Sequence, residues 1–338
     1  MKEQHSIHTT ARTIGIAALL LLLWVLGCVG PAIGEYYFRI AMLCGISIIL
    51  AVSLNIVNGF AGQFSLGHAG FMAIGAYTSA ALTHFKGQEM IGNMAAMGIP
   101  APVANTLVMS AAVVVGAVCA AAAGFFVGLP SFRLRGDYLA IVTLGFGEVV
   151  RVALLNIDAV GGPRGLRDIP TITSFTWVYA LAIGTIAISR NLALSSHGRA
   201  LFAIREDEIA AQCVGVNLLR YKITAFVMGA MLAGAAGVLY AHYDGYIAPS
   251  GFGFMKSIEI VVMVVLGGMG SITGAVLAAI VLTGLPEALR AAATYRMVLY
   301  SVLIIALMLR RPQGMFGRRE LDLESLKSFF GKNRGSAT

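Results

Sequence analysis

The stretch HGRALFAIREDEIAAQCVGVNLLRYK, residues 197–222, decides how the rest of the chain is read. It holds His197, Arg199, Arg205, Arg220 and Lys222 beside three consecutive acids, Glu206, Asp207 and Glu208, in a chain only 12% charged. It is the longest charged interval between two apolar runs, so it must meet water while its flanks must avoid it. The chain has 338 residues, of which 58% are hydrophobic, and a mean hydropathy of +0.83. A soluble domain of that length needs far more surface charge. Forty glycines point the same way, because small residues let transmembrane helices approach closely. The fold class is therefore an all-α polytopic integral membrane protein. Within the stretch, Asp207 is placed to cap a short helix from Glu208 to Val214. Gly215 then supplies the left-handed position that ends it. Ala210 and Ala211 would lie exposed for close contact, which suits a docking element better than a solvated linker.

Working outward, runs of about 20 apolar residues mark the spans. Ten emerge, at 13–33, 38–58, 66–85, 103–129, 138–157, 175–188, 223–242, 258–268, 272–289 and 297–309. The sixth is short, and the eighth is too short for a simple crossing. With both termini on the cytoplasmic side, the inside segments 1–12, 59–65, 130–137, 189–222, 269–271 and 310–338 hold sixteen Lys and Arg residues, against seven outside. That bias predicts an N-in, C-in topology and puts residues 197–222 in the cytoplasm. The net charge of +8 is then loop charge that fixes topology rather than a sign of nucleic acid. The organisation expected is a cytoplasmic N-terminus (1–12), one transmembrane domain (13–309) with a cytoplasmic loop at 189–222, and a cytoplasmic tail (310–338). Cys28, Cys44, Cys119 and Cys213 show no metal or redox spacing and read as small fillers. Residues 25–28 loosely match a lipoprotein cleavage box, but a first transmembrane helix fits a multi-span chain better.

Enzyme chemistry is poorly represented. No phosphate-cradling G-x-x-x-x-G-K-[ST] loop occurs, and no H-E-x-x-H or paired-Cys metal signature. No catalytic, metal or cofactor-binding residue is assigned. A pump built on this chain must draw on an ion gradient or on an ATPase carried elsewhere. Polar side chains at membrane depth supply the translocation-path candidates. Asn55, Gln63, Ser65 and His68 interleave with glycines between two spans, either as a broken helix lining a cavity or as a tight turn with capping polars. Glu148 and Arg151, three apart in the fifth span, share a helix face and can pair, inside the bundle or snorkelling at its edge. Glu259 is similar, near the start of the eighth. The Gly-rich turn at 265–274 reads as tight packing of two adjacent helices.

Several stretches together are similar to a known family. They are LNIVNGFAGQFSLGHAGFMAIGAY (54–77), RLRGDYLAIVTLGFGEVVR (133–151), GGPRG (161–165), GRALFAIREDEIAAQCVG (198–215), KITAF (222–226), VVLGGMGSITG (264–274) and RRPQGMFG (310–317). The chain resembles the permeases of branched-chain amino acid ABC importers, the LivH/LivM family, and within it the LivM-type subunit. The resemblance implies a bacterial inner-membrane protein that works beside a LivH-type second permease. It also implies two ABC ATPase subunits holding ATP and magnesium, and a periplasmic substrate-binding protein. Coupling loops of ABC importers resemble E-A-A-x-x-x-G. Here Ala210, Ala211 and Gly215 keep the A-A-x-x-x-G spacing, whereas Ile209 precedes Ala210 and Glu208 stands one residue early. Arg199, Glu206, Asp207 and Glu208 complete the ATPase-coupling candidates. Urea and short-amide permeases share the family pattern. A secondary transporter or channel would share the composition but need no ATPase.

Overall fold

A chain in hydrocarbon must satisfy each backbone N–H and C=O internally, and the computed structural model does so with helices along most of its length. It describes residues 27, 34–96, 98, 100–131, 137–289, 301, 302, 305, 309, 310, 314 and 315. The long helices are α1 (Glu35–Asn55), α2 (His68–Ala96), α3 (Ala101–Ser131), α4 (Asp137–Leu155) and α5 (Phe175–Leu194). Two short helices follow, α6 (Ser196–Glu206) and α7 (Glu208–Cys213). The described bundle is completed by α8 (Leu218–Asp244), α9 (Phe254–Gly267) and α10 (Ile272–Ala288). Among the described residues, extended pairing is limited to one antiparallel bridge, Leu166 with Ile247.

Six described stretches are long and apolar enough to cross a membrane: Glu35–Phe60, Ala101–Leu129, Tyr138–Leu155, Phe175–Leu194, Leu218–Asp244 and Pro249–Gly267. Two of them correct the sequence reading. The sixth expected span is a full 20-residue helix. The eighth is not a fragment at 258–268 but a 19-residue stretch that begins at Pro249. Lys256 lies just before the expected start and Glu259 just after it. They lie one turn apart and pair at 3.0 Å, so their charges offset each other within the helix. The first and tenth expected spans fall almost wholly outside the described residues, as do the two terminal segments.

Helix α8 packs between α2 and α3, and α1 is surrounded by α5, α8, α9 and α10. Lipid tails are as apolar as the side chains, so packing here depends on close contact rather than on water release. The sequence of α8 suits this, with Gly229, Gly234 and Gly237 set among alanines. A Cβ on Gly75 of α2 would lie 2.1 Å from the Gly234 carbonyl oxygen, and one on Gly234 would lie 2.3 Å from Ala120 Cβ of α3. The backbones therefore touch.

The helix ends sort into two clusters. At one end, Arg205 reaches Gly59 O at 2.7 Å and lies against Gly270, and Met315 N donates to Leu266 O at 2.7 Å. Parts of segments 59–65, 189–222, 269–271 and 310–338 thus meet. At the other end, Arg39 pairs with Asp244 at 3.1 Å, Tyr36 donates to Glu287, and Tyr246 donates to Arg164 O at 3.0 Å.

Candidate functional site

Helix α7 forms as its residues dictate. Asp207 Oδ1 accepts from Ile209 N at 2.8 Å and Ala210 N at 3.0 Å, closing two donors of the first turn. The helix stops at Cys213. Gly215 takes φ +86°, its N–H donates to Gln212 O at 2.9 Å, and Val216 N donates to Ala211 O at 3.0 Å. That pair of bonds is the Schellman ending, with Val216 packed against Ala211. Lys222, almost fully buried at the start of α8, donates to Glu208 Oε1 at 2.5 Å. The six-residue helix is thus fixed at both ends.

One expectation about this helix is overturned. Ala210 is exposed, but Ala211 is buried against Ile204 and Leu218 and faces its own chain. Ile209, at 66%, and Val214, at 78%, are the exposed large apolar side chains here. The i to i+1 step turns about 100° around a helix, so two adjacent alanines do not share a face. Cys213 is exposed as well, which does not suit a filler. Arg199 is exposed near the start of α6, and its Nη1 donates to Leu194 O at 3.4 Å. Glu206 pairs with Arg205 at 3.0 Å.

The sequence reading passed over Arg205. Its guanidinium lies 5.1 Å from the Phe202 ring, and Phe202 meets Phe60 edge to face at 5.3 Å.

Between α1 and α2 the helical path is interrupted. Residues Ile56–Phe60 form a π-helical turn, residues 61–67 are not helical, and α2 starts at His68. Ala61, Gln63, Ser65 and Gly67 are buried while Gly62 and Phe64 are exposed. Its backbone donors find side-chain partners on other elements. Ser65 N donates to Asn58 Oδ1 at 3.1 Å, Leu66 N to Thr143 Oγ1 at 3.0 Å, and Ala69 N to Ser257 Oγ at 3.2 Å. Thr143 on α4 and Ser257 on α9 went unread, because a lone hydroxyl in an apolar run carries no signal. Among the described residues, Asn58 Nδ2 and Gln63 Oε1 are buried with no hydrogen-bond partner.

The path candidates divide among four places. Gln63, Ser65 and His68 lie along the break. His68 Nε2 meets Ser53 Oγ at 2.8 Å, and that hydroxyl donates to Leu50 O at 2.9 Å, so the ring nitrogen is the donor. Glu148 and Arg151 pair at 2.7 Å, and Glu148 Oε1 accepts from Phe254 N at 3.2 Å, tying α4 to the start of α9. Both side chains are about a third exposed, so they sit at the bundle edge rather than inside it. Glu259 keeps company with Lys256 on α9. Asn55 belongs elsewhere. Its Oδ1 accepts from Gly270 N at 2.8 Å and its Nδ2 donates to Ser271 O at 3.2 Å, stitching α1 to the turn before α10. In that turn, a Cβ on Gly267 would lie 2.5 Å from the Gly274 backbone, so the two helices do pack tightly there.

This arrangement was compared with known proteins. Residues 36–309 match the family described as branched-chain amino acid transport system / permease component. The chain belongs to this permease family. It is 39% identical over 311 residues to the high-affinity branched-chain amino acid transport system permease protein LivM of Escherichia coli K12, covering 82% of this permease and 69% of that protein. The LivM protein of Salmonella typhimurium is 38% identical over 323 residues, covering 85% and 72%. The E. coli K12 permease protein LivH is 28% identical over 315 residues, covering 85% and 97%. No solved structure matches the permease.

Proposed function

We propose that this chain is the LivM-type, membrane-spanning permease subunit of an ABC importer for branched-chain amino acids, leucine, isoleucine and valine. The observation that carries the proposal is 39% identity to a LivM protein over 82% of the chain. The subunit has about ten spans with both termini in the cytoplasm of a bacterial inner membrane, and residues 189–222 form its coupling loop. Two partner ATPase subunits hold ATP and magnesium and do the hydrolysis. A periplasmic binding protein delivers the amino acid, and a LivH-type permease completes the pathway. The similarity to LivH is in keeping with two related permeases built on one plan.

The geometry of α7 supports its role in docking. A helix capped at both ends and anchored by Lys222 loses little entropy on binding, and Ile209 and Val214 offer it an apolar contact. The uncovered side of α4 supports a permease partner. Only 17% of its span is buried, and a one-third exposed Glu148–Arg151 pair is costly in lipid, so a polar neighbour is favoured there. Alternating access needs an element with two arrangements, biased by nucleotide at one end and substrate at the other. The break at 61–67 is the candidate. Its Gln63 and Ser65, with His68 at its end, lie on the path, and Glu148, Arg151 and Glu259 lie nearer the outer mouth. Asn55 is removed from the path and serves the packing of its turn.

The test is uptake into proteoliposomes containing both permeases and both ATPases, with the binding protein in the external medium and ATP enclosed in the lumen. ATP-dependent accumulation of labelled leucine, competed by isoleucine and valine, is expected. Uptake of urea or acetamide in preference to leucine would reassign the substrate. Leucine uptake without ATP or the ATPases would indicate a secondary transporter or channel instead.

A further inference from the structure

Arg205 stands at the junction of two elements that the proposed transport cycle must connect. It is the penultimate residue of α6, and Asp207, two residues later, caps α7. Its side chain leaves the loop and enters the bundle. Nη1 donates to Gly59 O at 2.7 Å, a carbonyl in the π-helical turn where α1 ends. Its methylene stem runs beneath Gly62, where a Cβ would lie 2.8 Å from Arg205 Cγ. Nη1 also fills the space beside Gly270, 2.8 Å from the place of a Cβ. The guanidinium is therefore wedged between two turns, 59–62 and 268–271, with Phe202 on its face and Glu206 on Nη2 at 3.0 Å. Gly62 is the second residue of the non-helical segment, immediately before Gln63.

Three physical points give this contact mechanical meaning. A guanidinium is planar and stiff across its fork, so little freedom remains once two nitrogens are held. Withdrawing it from an acceptor it has displaced water from is costly, so it drags its partners along. And only one residue separates Arg205 from the cap of α7, too short a link to absorb a shift of that helix by bending.

We propose that Arg205 is the positioning residue that transmits movement of the α7 docking helix to the break between α1 and α2. This rests on the ABC-importer reading above. When α7 is displaced by the ATPase, Arg205 pulls the Gly59–Gly62 turn with it and so re-aims the segment bearing Gln63 and Ser65. Its role is not to contact the ATPase, nor to bind substrate.

The experiment compares wild type, Arg205→Lys and Arg205→Gln in the complete transporter in proteoliposomes. ATP hydrolysis, labelled leucine uptake and co-purification of the ATPase subunits are measured together. Arg205→Gln, which keeps a donor but loses the fork and the charge, is expected to retain the ATPase subunits and to hydrolyse ATP. Its uptake per ATP should fall about tenfold, within the ordinary range of coupling free energies. Arg205→Lys should recover part of that ratio. A wild-type ratio of uptake to hydrolysis in either variant overturns the proposal. So does a loss of both activities in exact proportion to lost assembly, since that marks a merely structural residue. If Arg205→Gln does not fold, Arg205→Lys decides alone, a lowered ratio supporting the proposal and an unchanged one overturning it. Absence of ATP-dependent uptake in wild type would instead remove the importer reading, and this proposal with it.

Discussion

Gly75→Ala tests whether the seam of α2, α3 and α8 is held by backbone contact. A Cβ at residue 75 would lie 2.1 Å from the Gly234 carbonyl oxygen and 2.5 Å from both its carbonyl carbon and its Cα. All three are backbone atoms, so no rotamer change relieves the clash. The helices must part by roughly an ångström to restore ordinary van der Waals distances. That displacement also disturbs α3, because the Gly75 carbonyl oxygen lies 2.9 Å from where a Gly116 Cβ would stand. Overpacking of this kind costs about 1–3 kcal/mol, and a rigid clash belongs at the upper end or beyond. The better helix propensity of alanine returns up to about 1 kcal/mol. The net expectation is a loss of about 2 kcal/mol. Gly184→Ala on α5 is the matched control, since a Cβ there meets nothing within 4 Å. It should be neutral or slightly stabilising. Unfolding by sodium dodecyl sulfate in mixed micelles, followed by far-ultraviolet circular dichroism, reads both variants. If Gly75→Ala is as stable as Gly184→Ala, close backbone packing is not what holds the seam.

Three other outcomes are expected. Gly215→Val places a β-branched residue at φ +86° in open space, so its cost is backbone strain of about 1–2 kcal/mol, with asparagine tolerated better; uptake per ATP should drop while the membrane fold is kept, and wild-type coupling would count against α7 as a lever. Lys222→Met removes the buried anchor of Glu208 and should speed hydrogen exchange at residues 208–213, with Glu208→Gln in the same chain restoring much of the protection; unchanged exchange in the single variant would show that the caps alone hold the helix. Exchanging Glu148 and Arg151 should restore uptake lost in each single reversal, because the pair is one turn apart at 2.7 Å, and a double variant no better than the singles would reject the pairing as functional.

Much of the site was legible because local chemistry determines it. Asp207 and Gly215 are read correctly as the two ends of α7, since capping depends on residues within one turn. Four glycines among polar side chains after α1 left a cavity-lining broken helix and a tight turn both open. The hydroxyl partners of that segment, Thr143 and Ser257, lie 77 and 188 residues away in sequence from the donors they satisfy. The insertion of Arg205 depends in the same way on Gly59, 146 residues away. Ala211 turns inward onto Ile204 and Leu218, close in sequence, because α6, α7 and the start of α8 fold back on one another.

The sequence by itself determined that this is a helical membrane protein with a polar loop at 197–222, because hydrocarbon imposes length, apolarity and internal hydrogen bonding on each span separately. It also determined the family, through motifs spread along most of the chain. Only the tertiary structure decided which residues of that loop face outward, and that Ile209, Ala210 and Val214 are presented while Ala211 is not. It alone joined Arg205 to the turn where α1 ends. Those facts arise from contacts between separate helices, whose pairing follows from how the elements fit together and not from the character of any one of them.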